Sequence, residues 1–247
     1  VALSKIASVG YKFLHDRVQQ AAYSLIPESQ KKATHQQIGQ LLLKNTRPEE
    51  LQANIFDIVN QLNVAIALMR KSPEIAELAR LNLIAGRKAK AATAYESALK
   101  YLTTGVYLLR QDSWQSNYEL TLTLYEEAAE AAYLNGEFEQ MQKLAEVVLQ
   151  KAKNIIDQVK IYEVKILTYI AQNRLAEAVA TGLEALQLLG ISFPDQPTET
   201  DIGQALGKTA SLVSETGIED LINLPPMTDI KSLAALRILS TINSATY

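Results

Sequence analysis

A short break between two helical stretches recurs along this chain. A recurring helix pair constrains a fold strongly, because each pair can bury its apolar side only against its neighbours. The first unit reads Ala85-Gly86-Arg87-Lys88, then Ala91, Ala92, Tyr95, Ala98 and Leu99. The second reads Asn135-Gly136-Glu137-Phe138, then Met141, Ala145, Val148 and Leu149. The third reads Gln172-Asn173-Arg174-Leu175, then Ala178, Val179, Gly182, Ala185 and Leu186. Small residues fall where the two helices of a pair would cross, and Tyr, Phe or Leu fills the space beside them. The pattern predicts an all-α chain of antiparallel helix pairs, with Ala98, Ala145 and Ala178 at the crossings.

Helix signals elsewhere agree with this period. Asp16 is placed to cap a helix over 17–25 that Pro27 stops, and 29–44 follows with Ile38, Leu41 and Leu42 on one stripe. Thr46 with Glu49 has capping-box spacing, Pro48 falls in a first turn, and Leu51, Ile55, Ile58 and Leu62 continue one helix to about residue 69. Ser72-Pro73-Glu74 starts a third helix, read as 75–84 with a break at Gly86. Residues 191–197, Ile-Ser-Phe-Pro-Asp-Gln-Pro, form the clearest loop. Helix resumes from Asp201, breaks near Gly217, and restarts after Pro225-Pro226 with Thr228 or Asp229 as cap. Only 10 Gly and 7 Pro in 247 residues leave little turn material for a β-sandwich.

The units resemble tetratricopeptide repeats, which place Gly at the turn and small and aromatic residues down the second helix. The resemblance implies a helical-repeat solenoid. The intervals between breaks exceed that family's ~34-residue period, so the helices are longer than usual. The organisation expected is the end of a winged-helix-like element over 1–26, connecting helices over 27–70, repeats over 71–190, a loop over 191–200 and a further repeat over 201–247. The chain opens on Val1 and stops within a helical stretch, which reads as a piece of a longer protein.

Few residues offer chemistry. With 24 basic and 27 acidic side chains the net charge is −3, interspersed, so no nucleic-acid or anionic-membrane footprint stands out. There is no Cys, which removes disulfides and thiolate chemistry and fits a cytoplasmic setting, and no stretch is apolar enough to span a bilayer. Gly203-Gln204-Ala205-Leu206-Gly207-Lys208-Thr209 imitates a phosphate loop, but it has three residues between its glycines where the motif needs four. His15 and His35 lack metal-ligand or triad spacing; no metal or cofactor is expected, and His35 reads as a solvated helix residue. Trp114 reads as a core anchor. Glu126, Glu127 and Glu130 form an acidic helix face. With Tyr133, Glu163, Leu167 and Ile170, Glu126 and Glu130 make up the expected protein-binding groove, which lacks the Lys/Asn/Arg carboxylate clamp of stand-alone peptide-binding repeat adaptors.

Tyr11-Lys12-Phe13-Leu14 runs into a capped helix and sets His15 immediately before the helix start, where an anion could be met. FLHDRVQQAAYSLIP, IFDIVNQLN, AGRKAKAATAYESALKYL and LLGISFP, in that order, resemble the region after the ATPase module of signal-transduction ATPases with numerous domains. Such modules occur in large bacterial, cyanobacterial-type serine/threonine and sensor histidine kinases. The resemblance implies that His15 and Asp16 are a nucleotide-sensor pair and that the region joins an ATPase to kinase and sensor domains. The chain carries no Walker loop and no kinase HRD or DFG motif. The reading is a non-catalytic scaffold whose partners are other domains of its own chain or a signalling protein; the rival is a stand-alone peptide-binding adaptor.

Overall fold

The computed structural model describes residues 15–69, 72–194 and 196–245, and every regular element among them is helical. The chain divides into two compact units, Val1–Leu81 and Asn82–Tyr247. The first holds α1 (Asp16–Ser24), α2 (Glu28–Asn45) and α3 (Leu51–Val64); α4 (Ser72–Ala91) runs through the division. Residues 1–14, and with them most of the winged-helix-like element expected over 1–26, lie outside the described residues.

In the first unit α3 supplies the core, with Ile55, Ile58, Val59 and Leu62 buried. Close approach of α2 depends on Gly39: a Cβ there would lie 2.6 Å from Leu62 Cδ2. His35 is not a solvated residue. Its Nδ1 lies 2.5 Å from Gln61 Oε1 on α3 and its Nε2 3.0 Å from the Tyr23 hydroxyl on α1, so one imidazole links three helices. Two boundaries also depart from expectation. The helix of α1 includes Asp16 and leaves His15 at the capping position without a capping hydrogen bond. Thr46 donates its hydroxyl to the Leu42 carbonyl instead of capping forward, so Pro48–Glu50 form a 3₁₀ turn before α3, which ends at Val64 ahead of a second 3₁₀ turn, Ile66–Leu68.

The second unit continues with α5 (Tyr95–Leu108), the short α6 (Ser113–Ser116), α7 (Tyr118–Leu134), α8 (Phe138–Lys151), α9 (Val159–Ala171), α10 (Leu175–Leu188), α11 (Glu199–Thr216) and α12 (Ile230–Asn243). Successive pairs stack: α7 packs on α5 and α8; α9 on α7, α8 and α10; α12 on α9 and α10. Ala98, Ala145 and Ala178 are fully buried, as the crossing pattern requires. Trp114 of α6 lies edge-on to Tyr118, with centroids 5.8 Å apart, and 5.4 Å from Tyr125. The last core joins Tyr162 and Ile166 of α9, Ala185 and Leu186 of α10, and Ile238 and Ile242 of α12. Gly182 allows that contact, since a Cβ there would meet Ile242 Cδ1 at 2.1 Å.

Gly86 is not a turn. α4 passes through it and continues to Ala91, because the missing side chain is needed for packing: a Cβ would sit 2.4 Å from Leu102 Cγ on α5. The turn comes at Thr93, whose φ of 58° lies in the left-handed region with Gly136 at 79° and Asn173 at 58°. All three turns close alike, by bonds from Ala94 N–H to the Ala89 carbonyl, Glu137 N–H to Ala132 and Arg174 N–H to Tyr169, at 3.0, 2.8 and 2.8 Å. This is the Schellman closure, which satisfies the last helical carbonyls at each turn. α11 begins at Glu199, earlier than expected, behind a Thr198–Asp201 capping box.

A β-branched residue in the left-handed region is strained by roughly 1 kcal/mol. Thr93→Gly is therefore expected to stabilise the chain by up to ~1 kcal/mol in urea unfolding, while Gly136→Thr costs ~1–2 kcal/mol. If both substitutions destabilise equally, the turn is not at Thr93.

Candidate functional site

The first helices of successive pairs, α4, α7 and α9, and α12 beyond them carry charges of alternating sign that meet across the stack. Arg87 and Lys90 project from α4. Glu126, Glu127 and Glu130 follow on α7 at spacings that share one face. Lys160 and Glu163 lie on α9, and Arg237 on α12.

Glu127 is the centre. It is only 7% exposed, and a carboxylate so placed is tolerated only with partners. Lys90 Nζ stands 2.5 Å from its Oε2, Arg87 Nε 3.1 Å from its Oε1, and Lys160 Nζ 3.8 Å away on the other side. Burial pushes the Glu127 carboxyl up, but the bond from Lys90 and the charges of Lys160, Lys90 and Arg87 outweigh it and hold the group below its ordinary range. Glu130 behaves alike: burial raises it, and bonds from Lys160 at 2.7 Å and Lys90 at 2.6 Å bring it below the usual value. Burial lowers the Lys90 ammonium, and Glu127 and Glu130 more than reverse that. Further along, Arg237 Nε donates to Glu163 Oε1 at 2.8 Å and its second arm to Oε2. This bidentate pair fixes α12 against α9.

Glu126 is the exception on the acidic face. Burial raises its carboxyl to about 7; Lys160 and Arg237 pull it down, and Glu127 and Asp157 push it up. Asp157 is held nearby by the Tyr118 hydroxyl, which donates to its Oδ2 at 2.6 Å and accepts from the Lys153 N–H at 2.8 Å. Burial, with that bond to Asp157, lifts the Tyr118 phenol to about 12.

The expected groove residues are thus brought onto two neighbouring helices, with different fates. Glu130 and Glu163 are already paired within the chain, and Ile170 packs against the last core. Glu126, Tyr133 and Leu167 are half-buried. Arg87, Lys90 and Arg237 were missed as counterions, since taking Gly86 as a turn puts Arg87 and Lys90 on the second helix of a pair. His15 is exposed at the start of α1, and the Asp16 side chain lies outside the described residues. Among the described residues there is no cluster of three or more His, Cys, Asp or Glu suited to a metal, and no helix is long and apolar enough to cross a membrane.

The chain is 28% identical over 207 residues, 74% of its length, to hybrid signal transduction histidine kinase G of Dictyostelium discoideum, and it spans 6% of that protein. No family model matches the chain. No solved structure matches it either. The similarity provides a signal-transduction kinase context.

Lys90→Met should cost about 2 kcal/mol, because it leaves Glu127 buried with only Lys160 and Arg87 near it. Adding Glu127→Met should cost less than the sum of the single changes by at least ~1 kcal/mol in a double-mutant cycle; additivity would show that the two groups do not meet. Stability should also depend on pH through Glu126. A carboxyl raised in the folded state binds more protons there than in the unfolded chain. Its contribution is therefore fully present below the unfolded value near 4.5 and is lost as pH rises to about 7. Glu126→Gln removes that loss, so the variant should gain stability relative to the parent between pH 5 and pH 8 in denaturant melts.

Proposed function

We propose that this chain is a non-catalytic, tetratricopeptide-like helical-repeat module of a signal-transduction kinase, coupling an ATPase to sensor and kinase domains through protein–protein contacts. The observation that carries this reading is the stacking of helix pairs with their first helices aligned. In repeat arrays that arrangement presents one continuous surface for a partner segment. The similarity to a part of a much longer hybrid histidine kinase supports a module within a signalling protein over a stand-alone adaptor.

The docking face is built on Glu126, Glu130, Tyr133, Glu163, Leu167 and Ile170. Because Glu130 and Glu163 are neutralised from within, Glu126 is the group left to receive a partner's cation, with Tyr133 and Leu167 offering apolar contact. A segment carrying a Lys or Arg beside apolar residues fits that chemistry. Such a cation would hold the Glu126 carboxyl ionised and offset the cost of its burial. The module needs no cofactor or metal for this role, and its setting in our reading is the cytoplasm. His15 and Asp16, by their resemblance, would read nucleotide held by an ATPase module elsewhere in the longer protein.

Calorimetric titration of the chain against the separately expressed ATPase and kinase domains of that protein tests the proposal. Glu126→Lys is expected to weaken binding at least tenfold, about 1.4 kcal/mol, and raised salt should weaken but not abolish it as the screening length shortens. Unchanged affinity for Glu126→Lys, or ATP hydrolysis by the chain alone, would overturn it.

A further inference from the structure

The chain leaves the helical stack after α10 and returns to it at α12, which packs directly on α9 and α10. Between them lie α11 and the 3₁₀ turn Glu219–Asn223. Among the described residues no other helix packs along α11. Residues 199–212 are all exposed, Ile202 at 51% and Leu206 at 67%, and Ile218 and Ile222 beyond the helix stand at 73 and 88%. Ile202, Leu206, Thr209 and Val213 still keep the spacing of one apolar stripe. An isolated helix of this length is marginal in water, and packing of such a stripe normally supplies the missing stability.

The charge of this excursion narrows what can cover the stripe. Residues 199–222 hold five carboxylates against Lys208 alone. Glu199 and Asp201 suit the positive start of α11, and Asp201 completes its capping box. Glu215 falls in the last turn, where the free carbonyls already gather negative charge and no basic residue answers it. Glu219 and Asp220 open the turn that follows, and none of these three carboxylates enters the ion pairs that tie the stack together. A cation brought to residues 215–220 would relieve that crowding. An anionic lipid surface would worsen it, since helices that lie on such surfaces carry Lys and Arg on their polar face. So would a second copy of the same excursion, which repeats the same carboxylates.

We propose that α11 and the turn after it are a docking arm for a partner protein's amphipathic helix, which sets an apolar stripe against Ile202, Leu206 and Val213 and Lys or Arg against Glu215, Glu219 and Asp220. The apolar contact supplies the packing that α11 lacks in the free chain, and the charges fix the direction in which the partner lies. α9, α10 and α12 form their core without this excursion, so the arm engages a partner without disturbing the helix pairs. The surface stands apart from the face on α7 and α9 and does not depend on it.

Hydrogen exchange on the full 247-residue chain tests this, with a synthetic amphipathic helix of Leu, Ala and Lys as the probe and a twin carrying Glu for Lys as its control. The Lys peptide should protect the amides around Leu206, with an affinity at least ~tenfold above that of the Glu twin. Leu206→Asp should abolish the protection. Glu215→Lys with Glu219→Lys and Asp220→Lys should reverse the preference between the peptides; all these positions are exposed, and retained helical circular dichroism confirms that the variants fold. Glu126→Lys, which disables the face on α7 and α9, should leave the protection in place, so the two surfaces hold or fail separately. No protection around Leu206, or equal protection by the two peptides, would overturn the proposal. Protection that grows with chain concentration and needs no peptide would assign the stripe to a second copy, and protection by phosphatidylcholine vesicles alone would assign it to a lipid surface; each would overturn it as well.

Discussion

A carboxylate placed out of water must be met by positive charge, and Glu127 meets that requirement from both sides. Lys90 and Arg87 reach it from α4, Lys160 from α9, and the same two lysines also hold Glu130. The three helices cannot slide past one another without stranding a buried charge, a cost of several kcal/mol. Apolar contacts among alanines and leucines tolerate small shifts in register; this network does not. The Glu163–Arg237 pair extends the same logic to α12.

Between the charged layers the backbone repeats one device. At the turns after α4, α7 and α9 the helix ends on a left-handed residue, closes its last carbonyls through the same long-range bond, and lets the next helix return against it. The return is close because alanine or glycine occupies the crossings, as with Gly86 under Leu102 and Gly182 under Ile242. Turn and crossing together align the first helices on one side of the stack. The alternating charges can meet only because of that alignment.

The sequence made the turns at Gly136 and Asn173 legible, because Gly and Asn are the residues that accept a left-handed backbone. The matching turn at Thr93 was hidden, since a β-branched residue is the last expected there and Gly86 stood a short way upstream as a better-looking break. That one misplacement had a chemical consequence. It moved Arg87 and Lys90 onto the wrong helix of their pair, and the acidic face of α7 then looked solvated. His35 was opaque for another reason: its partners Tyr23 and Gln61 come from other helices, and no local pattern reports them. Helical content and the burial of the crossing alanines depend on local spacing, and they were visible from the start; Trp114, read as a core anchor, is half-buried against Tyr118 and Tyr125.

The most direct test of the charge ladder is a carbon-13 carboxyl NMR titration of the α7 glutamates. The structure predicts that neighbouring residues separate widely: Glu127 and Glu130 titrate below the ordinary carboxylate value near 4.5, and Glu126 near 7. If all three titrate together near 4.5, the acidic face is solvated and buried charge does not hold these helices in register.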